Sequence, residues 1–382
     1  MSDPDYRKSL EFALGVPFSD GNDVQLLHNG DAIFPAMLRA IDAAQHTVDF
    51  ETFVYWKGDI ARQFAESLAA RAKAGVTVRV LLDAFGAKEM EPELAKLMQS
   101  AGCELRWFRP LSTWRAWQTD KRTHRKILVC DNLVGFTGGV GIADEWTGDA
   151  RNADEWRDTH CQVRGLALLG LRAAFLDNWN EAGDWLFEQA PETQSEPAGD
   201  IAVQVIRSSS TIGWTDITGL MRNLVALSQR RLYITTAYLV LEPQLIDLLC
   251  AAADRGVDVR ILAPGKQTDS RFSQLAGQPH YARLMDCGVQ LFLYQQTLLH
   301  CKLIALDESV SCIGSANLNR RSLGKDEECC IVTISERLNG ELVQQFEKDC
   351  AQATALQPAA WQNRGWLEKA KEKIATLVVE QV

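Results

Sequence analysis

The sequence predicts an α/β protein of two similar halves, each a mostly parallel sheet with helices on both faces. Three observations predict it. One order of strand-like and helix-like segments occurs twice, the strand-like segments are short apolar runs rich in β-branched residues, and one polar motif recurs at a fixed displacement.

The first half runs strand 47–56, helix 60–75, strand 76–84, helix 91–102 and strand 103–108. The second runs strand 230–239, helix 244–256, strand 257–264, helix 280–288 and strand 289–295. Gly75, Gly102, Gly256 and Gly288 stand where glycine stops a helix. Strands alternating with helices imply parallel pairing and right-handed crossovers. The first half is read as 1–187 and the second as 201–352. The polar stretch 188–200, with Pro191 and Pro197, is a linker between them. In the tail, 353–382, Trp366, Leu367, Ala370, Ile374, Leu377 and Val378 share a helical stripe opposite a charged face, which predicts a C-terminal amphipathic helix.

A length of 382 residues suits two domains, and 46% hydrophobic with 24% charged residues is a globular balance. No run reaches the roughly 18–20 apolar residues of a membrane span, and MSDPDYRKSLEFALG has no signal-peptide pattern. The expectation is a cytoplasmic chain. The ten cysteines are scattered singly without metal-ligand spacing, which predicts reduced, buried thiols. A net charge of −10 argues against a nucleic-acid partner, since neutralising phosphates takes a basic face. Between Arg106 and Lys126, however, seven basic residues meet one acid, Asp120. That stretch can attract anions locally.

The recurring motif is His-x-Lys-x4-Asp. His124, Lys126, Asp131 and Gly138 return as His300, Lys302, Asp307 and Gly314, all displaced by 176 residues (300 less 124). Residues 123–130 and 299–306 read as strands, so each histidine shares a face with its own lysine. If the halves fold together, two imidazoles and two ammonium groups meet in one cleft. One imidazole can attack phosphorus to give a phosphohistidine, and the other can protonate the leaving alkoxide and later deprotonate the acceptor. The lysines answer the charge that builds on the nonbridging oxygens, so no metal or cofactor is required. Asp158 and Glu328, downstream of the two motifs, are candidates to orient the rings. The candidate catalytic set is thus His124, Lys126, Asp131, Asp158, His300, Lys302, Asp307 and Glu328. The turns GGVG (138–141) and GSAN (314–317) suggest phosphate contacts by Gly139, Ser315 and Asn317.

These residues resemble the phospholipase D superfamily, and within it the bacterial cardiolipin synthase branch. The likeness extends from about residue 24 to 350, through NGDAIFPAMLRAI, FET (50–52), HRKILVCD, FTGGVGIADEW, WRD (156–158), TTAY (235–238), HCKLIALD and GSANLNRRS. It implies one pseudo-twofold α/β fold, His124 as nucleophile and His300 as acid/base. It also implies that Asp158 and Glu328 hold the histidines while Asp131 and Asp307 are more structural. Two positions depart from the family pattern: Gly141 replaces an asparagine of the first turn, and Asp326 replaces an asparagine common near Glu328.

The implied activity is phosphatidyl transfer forming cardiolipin from phosphatidylglycerol. A phospholipase D-type hydrolase or another phosphatidyltransferase fits the same residues, and a nuclease fits them less well. A phospholipid substrate implies an anionic membrane surface as partner. Trp114, Arg115 and Trp117, in the aromatic and basic stretch 106–122, are candidates for membrane contact or for the wall of the substrate entrance. The expected location is peripheral, on the cell membrane.

Overall fold

The structure, a computed structural model, describes residues 5–110, 120–187, 197–209 and 216–365. The first half contains α1 (Tyr6–Leu14), β1 (Ser19–His28), α2 (Asn29–Ala43), β2 (Thr47–Thr52), α3 (Asp59–Lys73), β3 (Thr77–Asp83), α4 (Pro92–Ser100), β4 (Glu104–Phe108), β5 (Ile127–Cys130), β6 (Val134–Gly138), β7 (Thr159–Arg164) and α5 (Ala167–Glu181). The second contains β8 (Ile201–Arg207), α6 (Asp216–Leu227), β9 (Arg231–Thr236), β10 (Leu239–Val240), α7 (Pro243–Asp254), β11 (Asp258–Pro264), α8 (Arg271–Gly277), α9 (Tyr281–Asp286), β12 (Gln290–Tyr294), β13 (Lys302–Leu306) and β14 (Val310–Gly314). It continues with β15 (Leu318–Asn319), α10 (Arg320–Gly324), β16 (Cys329–Ile334), α11 (Glu336–Ala351), β17 (Ala353–Ala355) and α12 (Pro358–Gln362). The four glycines marked as helix stops all lie in left-handed backbone, with φ between 88 and 101°.

One sheet of fifteen strands runs β17-β12-β11-β9-β13-β14-β16-β8-β1-β7-β6-β5-β2-β3-β4. Its middle is the antiparallel β1–β8 pair, and apart from the edge strand β17 the order of strand types reads the same outward in both directions. This is the pseudo-twofold arrangement. The parallel pairing expected of the strands joined by helices holds for β2, β3 and β4 and for β9, β11 and β12. The remaining strands of this sheet pair antiparallel, because hairpins rather than crossover helices connect β5 to β6 and β13 to β14, while β10 and β15 form a separate parallel pair. The expectation of mostly parallel sheets therefore needs correcting: each half has a three-stranded parallel part and an antiparallel part.

Each half has its own apolar core, and a third is shared. In the shared core Phe175 and Trp179 of α5 and Leu338, Leu342 and Phe346 of α11 pack over strands of both halves. Each such side chain contributes about 1.5–3 kcal/mol by leaving water, and this burial fixes the halves against one another. Of the linker, residues 188–196 lie outside the described residues. The tail begins as strand rather than helix: Ala353–Ala355 adds to the edge of β12, the short helix α12 follows, and residues 366–382 lie outside the described set.

The cysteine expectation needs one correction. Cys250 of α7 and Cys287 just after α9 form a disulfide, with Cα atoms 5.3 Å apart. The packing of α7 against α9 brings together two residues that no local spacing connects. The eight other cysteines are free thiols, buried except for half-buried Cys350.

Candidate active site

Both motifs reach one place by the same local construction. Strand β5 runs antiparallel to β2 and β13 antiparallel to β9, so His124/Lys126 and His300/Lys302 lie at the edge where β2 and β9 end. The backbone approaching each motif then pairs with the other half. The His124 amide donates to the Glu327 carbonyl at 2.8 Å, and the Glu327 amide to the Arg122 carbonyl at 2.8 Å. Likewise the His300 amide donates to the Arg157 carbonyl and the Arg157 amide to the Leu298 carbonyl, both at 2.8 Å. This exchange of short bridges brings the two motifs together.

The exchange crosses the carboxylates as well. His124 Nδ1 lies 3.0 and 3.1 Å from the two Glu328 oxygens, and His300 Nδ1 lies 2.8 Å from Asp158 Oδ2. Each ring is thus held by the carboxylate of the opposite half. A proton on Nδ1 facing the carboxylate leaves the Nε2 lone pair for chemistry. Asp158 also accepts from the Trp146 indole at 3.0 Å and from the Thr159 amide at 2.8 Å. Glu328 accepts instead from the hydroxyls of Ser315 and Ser322.

A further pair of residues brackets each carboxylate through its backbone. The Asn29 amide donates to the Asp158 carbonyl at 3.0 Å, while the Asp158 amide donates to Asn29 Oδ1 at 3.3 Å. Ser208 repeats this on Glu328, at 3.1 Å and 3.0 Å. Asn29 achieves the geometry in left-handed backbone, φ 59°, which asparagine tolerates well. Sequence reasoning did not single out Asn29, Ser208, Trp146 or Ser322. Asn29, Trp146 and Ser322 lie in the stretches that carry the family resemblance, but nothing in their spacing pointed to the carboxylates.

Burial governs the charges. It holds His124 down to about 4, with Lys126 adding to the effect and Glu328 opposing it, and it lowers His300 with help from Lys302. Both rings are therefore neutral near pH 7. Burial also pushes Lys126 down to about 7 and lowers Lys302. For Asp158 and Glu328 burial acts upward, but the histidine and lysine facing each outweigh it, so both lie below their ordinary range. Lys126 Nζ donates to the carbonyl of His124 at 2.8 Å and Lys302 Nζ to that of His300.

His124 opens onto a cleft of about 340 Å³ whose walls include Phe53, Tyr238, Phe272, Asn317, Arg321 and Asp326. His300 sits deeper, with its ring 5.1 Å from Trp146 and 5.8 Å from Trp156. Asn317 is in the cleft wall, with its amide oxygen unpartnered among the described residues. Ser315 is fully buried, its hydroxyl spent on Glu328, and Gly139 is a clearance: a Cβ there would stand 2.3 Å from Asp158 Oδ1. Both are therefore corrected from phosphate contacts to supports of the carboxylates. Gly141 has the same kind of cause, since a Cβ would meet Val54 at 2.6 Å. Trp114, Arg115 and Trp117 lie outside the described residues.

Asp131 and Asp307 are also corrected out of the catalytic set. Each begins a hairpin turn in left-handed backbone, φ 53° and 46°, at the far end of its strand. Seven residues of extended chain from the histidine correspond to about 20 Å. Asp131 accepts the amides of Gln45, His46 and Thr47 at 2.7–2.8 Å, and Asp307 those of Gln229, Arg230 and Arg231. They fix the starts of β2 and β9.

A family model described as the phospholipase D-like domain of cardiolipin synthase matches residues 37–152 and 221–350. The chain belongs to the cardiolipin synthase branch of the phospholipase D superfamily. It is therefore a phosphatidyltransferase of phospholipid metabolism. It is similar to cardiolipin synthase 1 of Bacillus cereus, 30% identical with 95% of this chain and 73% of the relative covered. Cardiolipin synthase A of Pseudomonas entomophila is also 30% identical, with 95% and 76% covered. Among solved structures, phosphatidylserine synthase of Haemophilus influenzae superposes with a TM-score of 0.74 at 14% identity, covering 99% of this chain and all of that one. That likeness speaks for the fold. No helix among the described residues is long and apolar enough to cross a membrane.

Proposed function

We propose that the enzyme forms cardiolipin from two molecules of phosphatidylglycerol through a phosphohistidine on His124. The observation that carries the reading is the crossed pair of His–carboxylate contacts, which leaves two Nε2 atoms and two ammonium groups at one site. A neutral His124, opening on the cleft, suits attack on phosphorus. As the P–N bond forms, the bond from phosphorus to the glycerol oxygen breaks, and His300 protonates the departing oxygen. An anionic phosphodiester beside His300 favours its protonated form, and Asp158 steadies the imidazolium. In the second half-reaction His300 takes the proton of the acceptor hydroxyl, which attacks phosphorus and releases His124. Lys126 and Lys302 balance the charge on the nonbridging oxygens, and Asn317 offers its amide there.

One phosphodiester replaces another, so the exchange is nearly isoenergetic. Purified protein given phosphatidylglycerol vesicles should produce cardiolipin and free glycerol, and added glycerol should drive the reaction backwards. Phosphatidic acid as the dominant product across lipid densities would make the enzyme a hydrolase instead. The same reading locates the protein peripherally on an anionic membrane.

A further inference from the structure

The catalytic cleft has a neighbour. Strands β9, β11 and β12 run parallel, so their C-terminal ends lie along one edge of the sheet, the edge at which Lys302 pairs opposite Thr236. Helix α8 divides two clefts there. Its Phe272 and Ser273 line the catalytic cleft, whereas Arg271 and Leu275 line a second one of about 380 Å³. Leu275, Leu293 and Trp361 supply an apolar wall to the second cleft, and Lys266, Arg271 and Arg364 supply three cations. No carboxylate lines it among the described residues, although the chain as a whole carries a charge of −10. The Arg364 guanidinium lies 3.2 Å from the Trp361 ring centre, and its Nε donates to the Trp361 carbonyl at 2.8 Å. A positive charge is thereby held against the apolar wall. Lys266 and Arg271 are exposed, and so, at 37%, is Phe272 between the two clefts.

We propose that this second cleft is a non-catalytic site for the phosphate headgroup of an anionic phospholipid still in its bilayer, which holds the catalytic face against the membrane. The proposal rests on the lipid-substrate reading above. Arginine and lysine together suit a phosphate monoanion, one as a planar fork and the other as a point charge. The choice of lipid over a soluble phosphate follows from half-buried Leu275 and Leu293, since Trp361 is already buried beneath Arg364 and Tyr281. A free anion would leave that wall wet, whereas a lipid covers it with its glycerol backbone and upper chains. Sharing α8 with the catalytic cleft, the site would present Phe272 to the interface on the same side as the substrate entrance.

Sedimentation of the full chain with phosphatidylcholine vesicles containing phosphatidylglycerol tests this. A cation near an anionic surface is worth about fivefold in binding, so the Lys266→Gln/Arg271→Gln double variant should bind about thirtyfold more weakly. Lys266→Arg/Arg271→Lys should keep binding within a few fold. A charge-matched control is Arg39→Gln/Arg230→Gln, at the opposite end of the sheet near Asp131 and Asp307. It should bind as the unmodified chain does. Equal weakening by the control would overturn the site in favour of diffuse attraction, and unchanged binding in the first variant would overturn it outright. Release by millimolar glycerol phosphate would make it a site for free anions and refute the lipid assignment. Cleavage of a soluble short-chain phosphodiester should be the same in the double variant as in the unmodified chain. Vesicle binding needs no turnover, so failure of the cardiolipin reading and failure of this one are read separately.

Discussion

The two histidines have the same backbone and different surroundings. His124 faces a cleft with Phe53 edge-on at 5.3 Å, and its carboxylate is the longer Glu328, held by two serine hydroxyls. His300 lies deeper between Trp146 and Trp156, and its carboxylate is the shorter Asp158, held by an indole and a backbone amide. Corresponding positions show how the difference arose. Ser315 matches Gly139, Ser322 matches Trp146, and Asn317 matches Gly141, each displaced by the motif interval of 176 (315 less 139). The second half thus spends its small polar side chains on Glu328 and the cleft. The first half spends space and an aromatic ring on Asp158. A duplicated frame has become one ring open to the cleft and suited to attack, and one enclosed ring suited to proton transfer.

The largest effect that could break this division is loss of either ring. His124→Ala and His300→Ala should each lower turnover by several orders of magnitude without unfolding the protein. With a phosphodiester whose leaving group needs no proton, His300→Ala should still accumulate phosphorylated enzyme and His124→Ala should not. Phosphate mapped to residue 300 in the unmodified enzyme would reverse the roles.

Next in size are the crossed carboxylates. Asp158→Asn and Glu328→Gln should each cost about 10²–10⁴ in kcat, because the ring loses its tautomer and its support. They should separate by leaving group. The Asp158→Asn defect acts through His300 and should shrink with an activated leaving group, whereas the Glu328→Gln defect acts through His124 and should persist. Equal response to leaving group in both variants would dissolve the distinction. In the unmodified enzyme the acid limb of kcat/KM should fall near pH 4, where burial has moved His124, rather than near 6.5.

Asn29 and Ser208 sharpen the comparison at smaller amplitude. Removing the bracket by Asn29→Ala or Ser208→Ala should cost about 10–100-fold in kcat with little change in KM, since each acts only through a carboxylate. Asn29→Ala should carry the leaving-group dependence of Asp158→Asn, and Ser208→Ala that of Glu328→Gln. A loss of melting temperature with kcat intact would reduce both to ordinary structural residues.

How much of this was legible follows from which interactions are local in sequence. The His-x-Lys pairs could be read because a two-residue strand period puts them on one face, and the repeat could be read because it kept its register. The helix-joined strands gave their parallel pairing, but the antiparallel hairpins were hidden, since β5 and β6 look like any short apolar runs. The crossing of Glu328 to His124 could not be read, because neither residue's own half contains its partner. Motif spacing alone set Asp131 and Asp307 among the catalytic residues, and only the family resemblance implied a structural role: spacing does not tell a catalytic carboxylate from a turn residue whose three amide partners lie far earlier in the chain. Gly139 and Ser315 looked like phosphate contacts until the carboxylates they serve were in view.

The smallest expected effect belongs to Glu51, which has no acidic counterpart in the second half, where Thr235 holds the matching place on β9. Glu51 is fully buried. Its Oε1 accepts from Thr123 and Asn178, both at 2.6 Å, while Oε2 has no partner among the described residues. Burial raises it from 4.5 to about 7, with Arg125 opposing. The folded state therefore keeps this proton up to about pH 7, whereas the unfolded chain releases it near 4.5. Between those values the folded protein binds more protons, so this residue's contribution to stability falls as pH rises through the window. His28, His124 and buried His160, each held near 4, act the other way below 6.5, because there the unfolded chain binds more protons. The total pH dependence therefore mixes both signs, and a difference between variants isolates one. Glu51→Gln mimics the protonated form and can still accept from Thr123 and Asn178. Relative to the unmodified protein it should be about equally stable at pH 4.5 and more stable by about 3 kcal/mol at pH 7.5, measured by urea unfolding. A difference that stays flat across that range would mean that Glu51 is ionised in the fold, its charge carried by Arg125.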